Sequence, residues 1–141
     1  MNNLTVMDCE LCNSTGGLLL WQDEFCRVVL VEDDEHSGTC RVILNRHVRE
    51  MTDLSAAERT RLMNTVFAME AAMREHAVPD KVNLASLGNA VPHLHWHVIS
   101  RWTDDRQFPK PIWAPAERVA APRPKPDAVA LADRLRRHIQ S

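Results

Sequence analysis

The segment Val91–Ile99 reads Val-Pro-His-Leu-His-Trp-His-Val-Ile, an unbroken alternation of imidazole and apolar side chains from His93 to Val98. Successive side chains of a strand point to opposite faces. The pattern therefore predicts a β-strand with His93, His95 and His97 on one face and Leu94, Trp96 and Val98 on the other. The apolar set can be buried against a core, which leaves a row of imidazoles about 7 Å apart on the opposite face, from a rise of roughly 3.3 Å per residue. Imidazole is the side chain whose ordinary pKa lies closest to neutrality. A row of three is thus suited to proton transfer, nucleophilic attack or metal binding before anything else. Alternate strand histidines also build the metal triads of some hydrolases, which usually recruit a further ligand from another strand. Three merely solvated residues would not need to alternate so strictly.

The rest of the chain frames that strand within one domain. Its 141 residues fall in the usual single-domain range, and 45% apolar residues suffice for a core. A net charge of −2 and a pI of about 6.4 lack the footprint of a dedicated nucleic-acid binder. Apolar runs such as Gly17–Trp21 are far shorter than the roughly 20 residues a membrane span needs. The stretch Met1–Asp8 shows neither a basic nor an apolar leader segment, so a cytoplasmic location with reduced cysteines is expected. Cys26 and Cys40, each in apolar surroundings, read as small buried hydrophobes.

Short β-branched runs at Leu18–Trp21, Cys26–Glu32 and Thr39–Leu44, separated by turn chemistry, predict an antiparallel meander. Ser55-Ala-Ala-Glu58 is a capping box, and Leu62, Val66, Met69 and Met73 follow at helical spacing as a core stripe. Pro79-Asp80 ends that helix, and Val82–Ala85 opens another strand. Pro115, Pro122, Pro124 and Pro126 make an extended arm, after which Asp127 caps an amphipathic helix carrying Val129, Leu131, Leu135 and Ile139. Residues 1–113 thus form the main domain and residues 114–141 an arm ending in a helix, which packs on its own domain or on a partner subunit.

His93-x-His95-x-His97-Val98-Ile99 resembles the motif that names the histidine triad (HIT) family of nucleotide hydrolases and transferases. The resemblance extends through Arg41–Val48, similar to the family's strand ending in Ile-Pro-Lys-x-His. It takes in Met51–Ser55, Asn83 and the loop around Gly88, covers roughly residues 8–103, and continues in a tail, Asp104–Trp113, like that of a bacterial branch. It implies an α+β, HIT-like fold: an antiparallel sheet of about five strands with one long helix and a C-terminal helix, paired as a homodimer.

The resemblance also implies an activity. His95 would attack the α-phosphorus of a nucleoside phosphoramidate or dinucleoside polyphosphate, giving a nucleotidyl-histidine that water then cleaves. Splitting one hard displacement into two easier ones is chemically sensible for a neutral imidazole. His97 would act around the phosphate and leaving group, Gly88 would bring backbone N–H groups to the oxyanion, and Asn83 and Asn89 would contact the nucleotide. The substrate implied is a purine nucleotide with an AMP moiety.

Cys9, Cys12, His47 and His93 match positions at which some members hold a structural zinc, and two thiolates with two imidazoles suit a closed tetrahedral site. A redox role for Cys9-x-x-Cys12 is disfavoured because no helix start follows it in the sequence reading. Three departures stand out: Ala90 where a Ser or Thr is common, Leu44-Asn45 for Pro-Lys, and Ser100 for Pro. Ala90 keeps open a nucleotide-binding regulatory module with little turnover. A metal-dependent hydrolase using all three triad histidines as ligands is the other alternative.

Overall fold

The computed structural model describes residues 8–140. The leader reading of the first residues therefore lies, but for Asp8, outside the described residues. In chain order the elements are a single turn α1 (Glu10–Asn13), β1 (Leu18–Gln22), β2 (Cys26–Leu30), β3 (Thr39–Leu44), the long helix α2 (Ala56–Ala77), β4 (Lys81–Ala85), β5 (His95–Arg101) and α3 (Ala128–Gln140). The strands form one antiparallel sheet in the order β1-β2-β3-β5-β4. β5, last in sequence, is thereby inserted between β3 and β4.

Two registers decide which residues share a face. Arg41 lies opposite His97 and Ile43 opposite His95 in the β3–β5 pair, while Ala85 faces His97 and Asn83 faces Ile99 in the β4–β5 pair. Residues directly opposite in a ladder project to the same side. The histidine face therefore also carries Arg41, Ile43, Asn83 and Ala85. The other face presents Cys40, Val42, Leu44 and Val98, all fully buried in the main core with Leu62, Val66, Met69 and Met73 of α2.

α2 starts as its capping box dictates: Ser55 Oγ accepts from the Glu58 N–H at 3.2 Å, and the Glu58 carboxylate accepts from the Ser55 N–H at 2.9 Å. It stops at Ala77, where Val78 adopts a left-handed conformation with φ 49° directly before Pro79. The helix buries the apolar stripe together with the small Thr65, Ala68 and Ala72, which let the chain beside it approach closely. That neighbour is α3, whose Leu131 and Leu135 are fully buried in the same core. The C-terminal helix thus packs on its own chain.

Three local expectations are corrected. β2 ends at Leu30 rather than Glu32, because after the Val31 N–H bonds to the Thr39 carbonyl the backbone turns into the Asp33–Gly38 loop, with the Asp33 N–H folding back on the Val31 carbonyl. β5 begins at His95, so His93 precedes the strand instead of lying on it. The His93 N–H turns back to the Val91 carbonyl at 2.8 Å, and the Leu94 N–H and carbonyl are tied to Val48 and Leu44. Finally, a helix start lies inside the C-x-x-C pair, where the sequence shows none, since Cys9 is the N-cap residue of the single turn α1 and Cys12 lies within it.

The docking of α3 predicts a measurable cost. Leu135→Ala is expected to destabilise the protein by about 2–5 kcal/mol, as for other fully buried leucines, with the denaturant midpoint lowered in equilibrium unfolding.

Candidate functional site

Burial on the histidine face is uneven because two pieces of chain fold over it. The first is the N-terminal turn. Leu11 and Cys9 pack against Val29 and Ile43. Arg27 fastens this segment from below: its guanidinium donates to the carbonyls of Leu11, Ser14 and Thr15 and to Asn45 Oδ1. Asn45 passes the tether on by donating to the Asp23 carbonyl. The departure at Asn45 therefore has a structural use.

This covering brings four residues distant in sequence together. Donor atoms of Cys9, Cys12, His47 and His93 all lie within 4.8 Å of one another, close enough to bind a metal ion. His93 Nδ1 is 3.3 Å from Cys9 Sγ, 3.5 Å from Cys12 Sγ and 3.3 Å from His47 Nδ1, and Cys12 Sγ is 3.4 Å from His47 Nδ1. Around a tetrahedral ion with bonds of 2.0–2.3 Å, donor atoms are about 3.3–3.8 Å apart. The tautomer agrees. His93 Nε2 is 2.6 Å from the Leu44 carbonyl, which can only accept, so the proton sits on Nε2 and the Nδ1 lone pair faces the sulfurs. The donor set fits a metal ion, and the pairing of both thiols with imidazoles leaves the redox reading without support.

The same backbone orients the second histidine. His95 Nδ1 lies 2.6 Å from the His93 carbonyl. The carbonyl accepts, so Nδ1 carries the proton and Nε2 keeps its lone pair. Burial lowers the pKa of His95, and the His93 carbonyl only partly offsets this. His97 is held at about 4, first by burial and then by the charges of His95 and Arg41. Both imidazoles are neutral at pH 7, their rings 4.9 Å apart and edge to face. Because both nitrogens of His93 are committed elsewhere, the three histidines do not converge on one point. This geometry does not favour the triad of catalytic metal ligands.

Gly88 adopts φ +72°, a conformation L side chains rarely take. With His95, Ser86 and the Arg49–Thr52 segment it lines a cavity of about 250 Å³. Asn83 is in the middle of β4, and its Oδ1 accepts from Arg101 at 2.8 Å. Arg101 has no acceptor atom, so this bond fixes the amide and turns the Asn83 NH₂ donors outward. Asn89 is exposed and does not line the cavity. A wider cavity, about 640 Å³, lies elsewhere, between the Asp34–Ser37 turn, Trp102–Arg106 and the Pro-rich arm.

The second covering piece is the loop after β5. Arg101, only 1% exposed, pairs with Asp105 through two bonds of 2.8 and 3.0 Å and donates to the Lys110 carbonyl. Asp105 also accepts from the N–H groups of Trp102, Gln107 and Phe108. So anchored, the loop brings Trp113 edge to face against His97 at 5.1 Å, with half of the indole still exposed. Trp102 instead lies under Arg123, and Trp96 packs on the core with its indole N–H toward Met51. Sequence alone assigns no role at the site to Trp113, Arg41, Arg101 or Asp105. The alternation of Thr39–Leu44 does place Arg41 on the face opposite Val42, but which histidine it meets depends on strand pairing.

An antiparallel sheet that offers neutral, oriented imidazoles beside a glycine turn defines a class of small α+β proteins built around one histidine face. The HIT domain family model matches residues 17–104, and the chain belongs to the HIT family. That places it in a superfamily of nucleotide-binding proteins, nucleotide hydrolases and transferases. Among solved structures it is similar to a histidine triad protein from Bradyrhizobium japonicum, with 28% identity and TM-score 0.69 over 89% of this chain and 92% of that one. A histidine triad protein from Marinobacter aquaeolei VT8 gives 26% identity and TM-score 0.69 over 89% and 90%. One from Sinorhizobium meliloti 1021, at 24% identity and TM-score 0.70 over 88% and 90%, shares the fold. No curated protein is matched by the chain.

The Arg101–Asp105 pair makes a pH prediction. Burial works to raise the Asp105 carboxyl, but the Arg101 guanidinium and the backbone N–H groups outweigh it and hold the pKa at about 2, below an ordinary 3.8. A group whose folded pKa is depressed contributes stability above its unfolded pKa and loses it as pH falls through the folded one. Wild-type stability is expected to fall between about pH 4 and pH 2, with Asp105→Asn less stable at pH 7 and showing a shallower loss. Chemical denaturation across that range measures both.

Proposed function

We propose that the chain is a nucleotidyl hydrolase or transferase in which His95 Nε2 attacks the α-phosphorus of a nucleoside phosphoramidate or phosphoanhydride. The observation that carries this reading is the 2.6 Å bond from His95 Nδ1–H to the His93 carbonyl. It leaves a neutral nucleophile aimed away from the backbone, and it stabilises the cationic imidazole that exists once the nitrogen–phosphorus bond has formed. In the first step that bond forms and the bond to the leaving group breaks. In the second, water attacks the phosphorus, the nitrogen–phosphorus bond breaks, and the nucleoside monophosphate departs. The turn at Gly88 brings backbone N–H groups beside His95 for the phosphoryl oxygens, Asn83 offers its fixed NH₂ donors one same-face step from His97, and His97 contacts the phosphate as a neutral imidazole.

Intact-protein mass after a rapid, acid-free quench with an adenosine phosphoramidate tests this reading. Wild type is expected to show a transient adenylyl adduct with AMP release, and His95→Ala to show neither, with turnover reduced at least about 10³-fold, as for loss of a covalent nucleophile. Equal AMP release from both proteins would remove His95 from the mechanism. Tight AMP binding with neither adduct nor turnover would favour the regulatory binding module.

We further infer that Cys9, Cys12, His47 and His93 hold a structural zinc ion. When bound, zinc would supply folding free energy by joining α1 to the segment that leads into β5. All four ligands come from protein, so the chemistry at His95 needs no metal. Removing metal with a strong chelator is expected to lower the melting temperature by several degrees, with one zinc per chain found by elemental analysis beforehand. Loss of activity at an unchanged melting temperature would contradict a structural role.

A further inference from the structure

Three arginines project from the histidine face, and two of them are saturated. Arg27 is spent on three carbonyls and Asn45, and Arg101 on Asp105, Asn83 and Lys110. Arg41 differs. Directly opposite His97, about 4.5–5.5 Å away at Cβ by ladder geometry, it makes one long hydrogen bond, from Nη1 to the Gly16 carbonyl at 3.3 Å. Its Nε is buried with no partner, and among the described residues it forms no ion pair. A half-buried guanidinium with most of its donors unused is costly unless an anion completes it.

We propose that Arg41 binds the anionic leaving group of the substrate, so that this chain acts on nucleotide phosphoanhydrides in preference to phosphoramidates that release an uncharged amine. The inference rests on the reading of His95 as nucleophile and deepens it. The Gly88 turn lies toward the His95 end of the face, whereas Arg41 lies at the His97 end. The reading above gives the α-phosphoryl oxygens to the N–H groups of the Gly88 turn, and the ribose carries no charge, so the anion left for Arg41 is a second phosphoryl group.

The chemistry agrees. In the first step the bond from His95 Nε2 to the α-phosphorus forms, the bridging phosphorus–oxygen bond breaks, and its electron pair leaves on the β-phosphoryl oxygen. That oxyanion is stable in water without a proton, whereas a departing amine nitrogen needs one. In the second step water cleaves the nitrogen–phosphorus bond and gives up its proton to solvent. Few proton donors are available to an amine: His97 is neutral, the Leu87–Pro92 loop contains no hydroxyl, and the Ser86 hydroxyl beside His95 is spent on the His95 carbonyl. Arg41 supplies a fixed positive charge where the negative charge collects, without having to lose a proton.

The test compares wild type, Arg41→Met and Arg41→Lys on ADP, on diadenosine triphosphate and on an adenosine phosphoramidate with an uncharged amine leaving group. Arg41→Met is expected to lower kcat/KM for the two anhydrides about 10- to 100-fold, the range for a charge-assisted hydrogen bond, and to change the phosphoramidate rate less than about threefold, well below that range. Arg41→Lys should recover part of the anhydride rate. Equal losses on all substrates, or no loss on anhydrides, would overturn the proposal.

Calorimetric binding of AMP and of α,β-methylene-ADP separates this inference from the reading beneath it. Wild type should prefer the methylene diphosphate, and Arg41→Met should abolish that preference. A preference erased by the substitution in a protein without turnover would keep Arg41 as the phosphate ligand and sink the enzyme reading. Equal affinities for the two nucleotides in wild type would sink the role of Arg41 alone.

Discussion

His93 holds two systems together. Its imidazole is fixed by the Leu44 carbonyl so that Nδ1 faces Cys9, Cys12 and His47, while its own carbonyl holds the proton of His95 Nδ1. One residue thus joins the cysteine–histidine cluster to the tautomer of the adjacent reactive histidine. Leaving the strand is what permits this. A His93 in regular β geometry would project beside His95 and His97, and its side chain would be lost to the cluster. The backward turn at Val91, the pinning of Leu94 to Leu44 and Val48, and the seating of α1 over Ile43 all serve that one departure.

Electrostatics on this face are arranged by saturation. Arg27 and Arg101 lie close to the site, but the donors of the first are taken up by carbonyls and Asn45 and the second is paired with a carboxylate, and they act as fasteners, one for the N-terminal turn and the other for the loop after β5. Burial beside this scaffold keeps His95 and His97 uncharged. A neutral nucleophile beside an unsaturated cation suits attack on an anionic phosphate, since it combines an available lone pair with a counter-charge for the group that departs.

The sequence made the two-faced character of the central strand legible, because alternation is a local property. The bounds of β3 and the start of α2 were equally legible, since Thr39–Leu44 is a β-branched run flanked by turns and Ser55 with Glu58 closes a reciprocal cap. His95 and His97 share a face as the pattern requires. What could not be read was which residues meet across strands. Arg41 opposite His97 and Asn83 next to it depend on β5 inserting between β3 and β4, a choice made by the whole sheet. The position of Trp113 was hidden for a related reason: it follows from the Arg101–Asp105 anchor, and ion pairs leave little trace in sequence pattern. His93 escaped because its side-chain partners outweigh the local preference for an extended strand.

The loop that carries Trp113 begins at the last residue of the reactive strand and is fastened at its base by Asp105, whose carbonyl also receives Arg118. The wall of the site is therefore hung from its floor by one covalent connection and by the Arg101 guanidinium, which holds Asp105 and the Lys110 carbonyl. Between Arg106 and Glu117 the sequence is free of obligations to the sheet ladder and the main core. Evolution, or an engineer, can exchange that stretch as a cassette, reshaping what the site admits while the nucleophile and its tautomer remain untouched.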